Sequence, residues 1–211
     1  TLPELLRKQD YHIRCILFDD RKKWIITGAV APDDGPPVMG MAVDLGTTRV
    51  VVRLVDLVSG KVVHESAFDN PQISVGPDIL TRIHFAFQKG GLEKLNNLII
   101  QALNRTVTAM CKEKGVQPED VHWVAAAGNT TMTHLFMGLD PGRLIKEPYI
   151  PVINKPGGVK AADLGLTVNP GARALIFPNI GSYFGGDLVA GILYSGMNSS
   201  ALTGWPLTWN L

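Results

Sequence analysis

A strand that ends in an aspartate and a glycine–threonine turn is the first place in the chain where chemistry could occur. Residues 39–57 read MGMAVDLGTTRVVVRLVDL, with apolar runs on both sides of Asp44, Gly46, Thr47 and Thr48. A carboxylate in an apolar strand costs free energy unless it is compensated, and a glycine lets backbone approach a ligand closely. The turn could therefore bind a phosphate through its hydroxyl and N–H groups, while Asp44 holds the accompanying metal ion. An ordinary hairpin with a polar tip explains these residues equally well.

The segment before this turn predicts a small unit of its own. Residues 1–10 have the character of a short helix, and residues 11–19 and 22–30 predict two strands joined by a hairpin turn at the sequence DDR. In the first strand the side chains predicted to face inward are Tyr11, Ile13, Cys15 and Leu17. Residues 31–38 are dense in Pro, Asp and Gly, which indicates a linker at a domain boundary.

The segment after the linker predicts the order β-β-β-α-α-β-α-(loop)-β-α. The first three strands are expected at residues 40–45, 49–57 and 61–68, and the longest helix at 90–115, ending at Gly115. Antiparallel strands followed by α-β crossovers predict a mixed sheet with helices on its faces. This α/β order is similar to the ribonuclease-H-like lobe of the actin, sugar-kinase and Hsp70 class, here preceded by a small partial α+β segment. In that class the phosphate loop lies between the first two strands, so position favours a phosphate loop over a plain hairpin tip.

Three further groups of polar residues are candidates for the same site. Asp187 follows two glycines at a predicted helix start, and sugar kinases of this class carry a similar aspartate that acts as a base or orients water. A plain helix cap explains it nearly as well. A strand-to-helix turn whose N–H groups favour an anion contains Gly128, Asn129, Thr130 and Thr131, although Asn129 could simply cap the helix. A loop expected near the cleft, or merely solvated, contains Asn70, Gln72, Asp78 and Arg82.

The composition excludes several classes of function. The 211 residues carry a net charge of +1 and are 45% hydrophobic, so no charge imbalance indicates a nucleic-acid or membrane partner. No apolar run approaches the ~18 residues of a membrane span, and the charged N-terminal residues do not resemble a signal peptide. Two cysteines, Cys15 and Cys111, cannot hold a four-cysteine iron–sulfur cluster. A reduced, cytoplasmic protein is expected.

Five stretches, taken in order and spacing, resemble the ATPase domain of reductive activators of corrinoid proteins. They are MAVDLGTT, NPQISVGPDILTRI, AAAGNTTMTHLFMGLDP, EPYIPV and LGLTVNPGARALIFPNIGSYFGGDLVAGIL. The resemblance covers roughly residues 40–197, and residues 1–30 resemble the end of the middle domain that precedes this ATPase domain. It implies three parts: residues 1–38 as the end of the middle domain and linker, 39–197 as the N-terminal lobe of the ATPase domain, and 198–211 as an atypical tail.

The resemblance implies that ATP and Mg²⁺ drive an electron into an inactive Co(II) corrinoid and restore Co(I). It further implies a corrinoid protein and an electron donor as partners, a homodimer, and a [2Fe–2S] cluster in an N-terminal domain that this chain lacks. The nucleotide would contact Asp44, Gly46, Thr47 and Thr48, with Gly128, Asn129 and Thr130 close by, Asp44 holding Mg²⁺ and Asp187 acting in catalysis.

The chain departs from the family pattern in ways that leave alternatives open. It begins with Thr1 and ends in NSSALTGWPLTWNL, where the family continues into a second phosphate loop, so we expect a truncated ATPase half that is inactive alone. A small-molecule kinase of the same superfamily is a second hypothesis. A non-catalytic fragment that only binds a partner is a third.

Overall fold

The computed structural model describes residues 2–19, 23–33 and 35–196, so part of the predicted DDR turn and the predicted tail lie outside the described residues. The first elements are a short helix and an antiparallel two-stranded sheet. They are α1 (Leu2–Lys8), β1 (Arg14–Asp19) and β2 (Trp24–Val30). No helix among the described residues has both the length and the apolar character needed to span a bilayer.

The predicted inward face of β1 is wrong. Ile16 and Phe18 are buried, whereas Cys15 and Leu17 are exposed. The reason is tertiary: the Phe18 ring meets Trp123 edge-on, with ring centroids 5.2 Å apart, so the large apolar side chains turn toward the main sheet.

The main sheet has six strands and is mixed, as predicted. Its members are β3 (Met39–Leu45), β4 (Arg49–Asp56), β5 (Val62–Asp69), β6 (Val121–Gly128), β7 (Gly157–Lys160) and β8 (Arg173–Ile176). Their spatial order is β5-β4-β3-β6-β8-β7. The first three strands pair antiparallel, β3 pairs parallel with β6, and β6 with β8. The edge strand β7 was not predicted, because its sequence GGVK offers too few residues to show an alternating pattern.

The described residues after the linker also form four α-helices. They are α2 (Ile79–Ala86), α3 (Gly91–Lys114), α4 (Thr130–Met137) and α5 (Gly186–Ser195). The predicted long helix α3 is confirmed: it buries Leu95, Ile99 and Leu103 completely and ends at Gly115, which lies in the left-handed region. Each such side chain contributes about 1.5–3 kcal/mol on burial.

The alternation of side chains along β3 determines where a site can form. Val43 and Leu45 point into the core shared with α3, whereas Ala42 and Asp44 point to the opposite face, where α5 lies. Small side chains on that face leave room beside α5. An open cleft of about 540 Å³ results.

Candidate functional site

Three turns of the chain converge at one end of the sheet, and glycines permit the convergence. A Cβ on Gly46 would lie 2.1 Å from the Arg49 carbonyl oxygen. One on Gly185 would lie 2.3 Å from the Cα of Asn129. Any larger residue would push these backbones apart, so Gly46 permits the tight β3–β4 turn and Gly185 lets the start of α5 contact the β6–α4 turn.

Side-chain hydrogen bonds hold the first two turns together. Asn129 caps α4 by accepting the Met132 N–H at 2.9 Å, and its amide donates to the Thr47 hydroxyl at 2.9 Å. Thr130 donates to the Gly181 carbonyl at 3.0 Å and so connects α4 to the third turn. The capping of α4 by Asn129 is therefore observed, and the same side chain contacts the candidate phosphate loop, while anion binding by the N–H groups of this turn stays a prediction.

The β3–β4 loop is also supported from the interior of the protein. Asn70 donates to the Gly46 carbonyl at 2.9 Å, and Arg82 donates to the Thr47 carbonyl at 2.7 Å. Gln72 lies beside them and donates to the Leu95 carbonyl at 2.9 Å. All three side chains are buried, so the structure places them beneath the loop, and they do not line the cleft.

Asp78, the fourth member of the predicted cleft loop, is exposed at the start of α2. It accepts the Thr81 N–H at 2.8 Å and the Thr81 hydroxyl at 2.9 Å, which lowers the pKa of its carboxyl. Its carboxylate is engaged as the N-cap of this helix.

The cleft brings together the two carboxylates that the sequence singled out. Asp44 and Asp187 both line it, together with the small residues Ala125 and Ala127. The pKa of Asp44 is raised, first by desolvation against the cleft wall and then by the negative charge of Asp187. The cap of α5 is Gly185, so Asp187 lies within the first turn, where its carboxylate accepts the Leu188 N–H at 2.8 Å.

Arg53 and Tyr194 also line the cleft, and sequence reasoning missed both. Arg53 lies opposite Ala42 in the β3–β4 register, and its guanidinium is 2.6 Å from Glu65. Its positive charge partly opposes the rise in the Asp44 pKa. The position of Arg53 could have been predicted from the sequence, because pairing two strands across a short turn places Arg53 on the same face as Asp44.

The donor set suits a magnesium ion that is shared with phosphate. Within the described ranges, no group of three or more His, Cys, Asp or Glu side chains could hold a metal on its own. Mg²⁺, however, is usually held by one or two carboxylates together with waters and substrate phosphates. Asp44 and Asp187 could supply the carboxylates, and the N–H groups of Thr47 and Thr48, in the turn that follows Asp44, could donate to a phosphate.

Comparison with known proteins identifies the family of the chain. A family model described as the RACo middle region matches residues 39–200. The chain belongs to this family. Among curated proteins, the corrinoid activation enzyme RamQ of Eubacterium limosum is 32% identical over 158 residues, covering 74% of this chain.

A solved structure of a RACo relative has the same fold. The reductive activator for corrinoid, iron-sulfur protein superimposes with a TM-score of 0.87 at 37% identity, covering 94% of this chain. The chain spans only 27% of the length of RamQ and 32% of the solved relative. The names of both relatives connect those proteins with corrinoid activation.

Proposed function

We propose that this RACo-family chain supplies the phosphate-binding lobe of an ATP-dependent activator of a corrinoid protein. The activator would pass one electron from a donor protein to Co(II) and give Co(I). One observation carries the proposal: Asp44 and Asp187 line one cleft, and the Gly46–Thr48 loop that follows Asp44 is hydrogen-bonded through Thr47 to Asn129, which contacts the start of α5. The names of the two relatives supply the substrate class.

The topology supports an actin-like ATPase lobe. The strand order β5-β4-β3-β6-β8, with β4 antiparallel to its neighbours and β6 and β8 parallel to β3, is the order of a ribonuclease-H-like sheet. In such a lobe the loop between the first two strands faces the nucleotide phosphates, and here that loop contains Thr47 and Thr48.

Each residue then has a defined task. Asp44 would hold Mg²⁺, which when bound neutralises charge on the transferred phosphate. Asp187 would orient the attacking water or accept its proton. The N–H groups of Gly46, Thr47 and Thr48 would bind one phosphate, and the α4 turn at Gly128–Thr130 would face the next.

Other parts of the proposal concern the whole activator. We propose a cytoplasmic homodimer that takes its electron from a donor protein through a [2Fe–2S] domain. No residue of this chain is assigned to that domain.

A hybrid protein tests the proposal. Residues 39–196 would replace the matching segment of RamQ, and ATP-dependent reduction of a corrinoid protein would be followed by the absorbance of Co(I). We expect the hybrid to be active and Asp44→Asn to lower ATP hydrolysis at least 100-fold, because asparagine keeps the shape but removes the charge that Mg²⁺ needs. The control is Asp163→Asn, which removes an exposed carboxylate from the turn before β8.

Two results would contradict the proposal. Full ATP-dependent activity of Asp44→Asn would show that the β3–β4 loop is only a hairpin tip. Phosphorylation of a small molecule by the hybrid, without corrinoid reduction, would favour the kinase hypothesis.

A further inference from the structure

One arginine lies completely inside the protein, directly behind the candidate phosphate loop. Arg82 is 0% exposed. Its guanidinium donates to the Thr47 carbonyl at 2.7 Å, the Gly76 carbonyl at 2.8 Å, the Gln72 amide oxygen at 3.4 Å and the Met132 sulfur at 3.3 Å. The side chain thus contacts both the β3–β4 loop and α4, two of the three elements that converge at the site.

All four partners of this guanidinium are neutral. The ion pairs found in the described part of the chain are Arg53–Glu65 and His64–Glu113, and neither involves Arg82. Asp78 acts on Arg82 only through space, while its carboxylate caps α2. A buried charge without a counter-ion costs several kcal/mol unless something compensates it, and an arginine stays protonated in proteins.

The loop in front of Arg82 is arranged to receive an anion. Three successive carbonyl groups, those of Gly46, Thr47 and Thr48, each accept a hydrogen bond from the interior: from the Asn70 side chain at 2.9 Å, from Arg82 at 2.7 Å and from the Asn70 N–H at 2.8 Å. The N–H groups of Thr47 and Thr48 have no hydrogen-bond partner among the described residues. The peptide groups of the loop are therefore bonded on their carbonyl side and open on their N–H side.

A hydrogen bond to a carbonyl polarises its peptide group and makes the N–H at the other end a stronger donor. The Thr47 carbonyl, which Arg82 contacts, belongs to the same peptide as the Thr48 N–H. A charged donor polarises more strongly than a neutral one. The effect of Arg82 on an anion therefore passes through one peptide group, without direct contact.

We propose that Arg82 is a positioning residue whose buried charge prepares the Thr47–Thr48 amides for a polyphosphate, which in turn compensates that charge. The inference rests on the proposed function for the identity of the loop. It adds the source of the loop's affinity. Asp44 and Asp187 at the cleft would attract the cation of the same ligand. The positive charge behind the loop would then face the polyphosphate, and the two carboxylates would face its metal ion.

Titration of the chain with tripolyphosphate and Mg²⁺ tests the inference, because this probe lacks a nucleoside and needs no electron transfer. We expect saturable shifts of the Thr47 and Thr48 amide resonances and of the Arg82 Nε–H resonance, together with a rise in melting temperature. Arg82→Met should weaken binding at least tenfold. Arg82→Lys keeps the charge but loses the planar guanidinium with its several N–H donors, so its affinity should lie between those of the wild type and Arg82→Met. Arg105→Met, which removes an exposed guanidinium from α3, should bind as the wild type does.

A merely structural Arg82 gives a different pattern. Arg82→Met would then melt at a lower temperature but keep the full rise that tripolyphosphate causes, and this result would overturn the inference. Failure of the wild-type loop amides to respond would also overturn it. If Arg82→Met does not fold, the Arg82 Nε–H shift in the wild type and the affinity of Arg82→Lys decide the question.

Failure of this inference is distinguishable from failure of the proposed function. Suppose that tripolyphosphate binding depends on Arg82 but the RamQ hybrid cannot activate a corrinoid protein. This result would contradict the proposed function and leave the inference about Arg82 standing. If the hybrid is active but Arg82→Met binds tripolyphosphate as tightly as the wild type, only the inference about Arg82 is contradicted.

Discussion

At the scale of single residues, the two cysteine thiols lie in different surroundings, one buried and one exposed. Cys111 is fully buried in α3, where burial, followed by Asp120 and Glu119, raises the pKa of its thiol to about 11. Cys15 is exposed on β1. Because the thiolate is the reactive form, we expect one thiol per chain to react rapidly with Ellman's reagent and the second only after unfolding.

Serine variants assign the fast thiol. Cys15→Ser should abolish the rapid phase, and Cys111→Ser should leave it unchanged. Rapid reaction of both thiols in the folded chain would show that α3 opens readily, contrary to its packing.

A buried histidine makes stability depend on pH. His134 donates from Nδ1 to the Thr130 carbonyl at 2.7 Å and accepts the Val152 N–H on Nε2 at 3.1 Å, so the ring is neutral in the folded chain. Burial lowers its pKa below the ordinary value of 6.5. The unfolded chain therefore binds more protons below that pH, and the stability from His134 is fully present above pH 6.5 and is lost as the pH falls.

Urea unfolding at pH ~7.5 and ~5.5 measures this effect. We expect the wild-type free energy of unfolding to be lower at the acidic pH than at the higher pH. This decrease should be smaller in His134→Gln. Burial also lowers the pKa of His122, so His122 should account for part of the decrease that remains in His134→Gln. His12→Gln, at an exposed position, should keep the full fall, and an undiminished fall in His134→Gln would contradict the argument.

At the scale of elements, the small hairpin docks on the main sheet through one close approach. A Cβ on Gly28 of β2 would lie 2.5 Å from the Cε1 of His122 on β6. His122 is buried, so its ring cannot move aside freely. Gly28→Ala should therefore destabilise the docked hairpin by about 1–3 kcal/mol.

Hydrogen exchange of the β1 and β2 amides would report the change. The matched control is Gly191→Ala in α5, where an added Cβ meets nothing within 4 Å and the helix should gain about 0.5–1 kcal/mol. Equal exchange rates in Gly28→Ala and the wild type would mean that the hairpin is held by other contacts.

The same elements show how far the sequence predicts the structure. The long helix α3 and the strand β6 were predictable because many residues repeat one pattern. The inward face of β1 was not, since Phe18 follows a partner, Trp123, that is distant in sequence. The sequence singled out Asp44 and Asp187 separately, and the structure places both at one cleft. It did not predict the burial of Arg82 in α2, because a polar side chain carries no local sign of the backbone carbonyls it will meet.

At the scale of the whole molecule, the cleft is open on the side of α5. Three aromatic side chains on α5 or just before it are exposed: Tyr183 is 79% exposed, Phe184 56% and Tyr194, which lines the cleft, 96%. Exposed apolar groups clustered in this way mark a surface that another protein segment covers. The solved relative, of whose chain this one spans 32%, has further residues that could do so.

We therefore expect the chain alone to bind ATP weakly and to hydrolyse it negligibly. The loop amides and two carboxylates bind only the phosphate end, so little free energy remains after the cost of association. A millimolar dissociation constant, about −4 kcal/mol, is expected from calorimetry in the presence of Mg²⁺. Asp44→Asn should weaken it further, whereas Asp163→Asn should not. Micromolar binding, about −8 kcal/mol, would contradict the expectation. It would mean that the cleft beside α5 holds the nucleoside as well, and that this lobe forms a complete nucleotide site on its own.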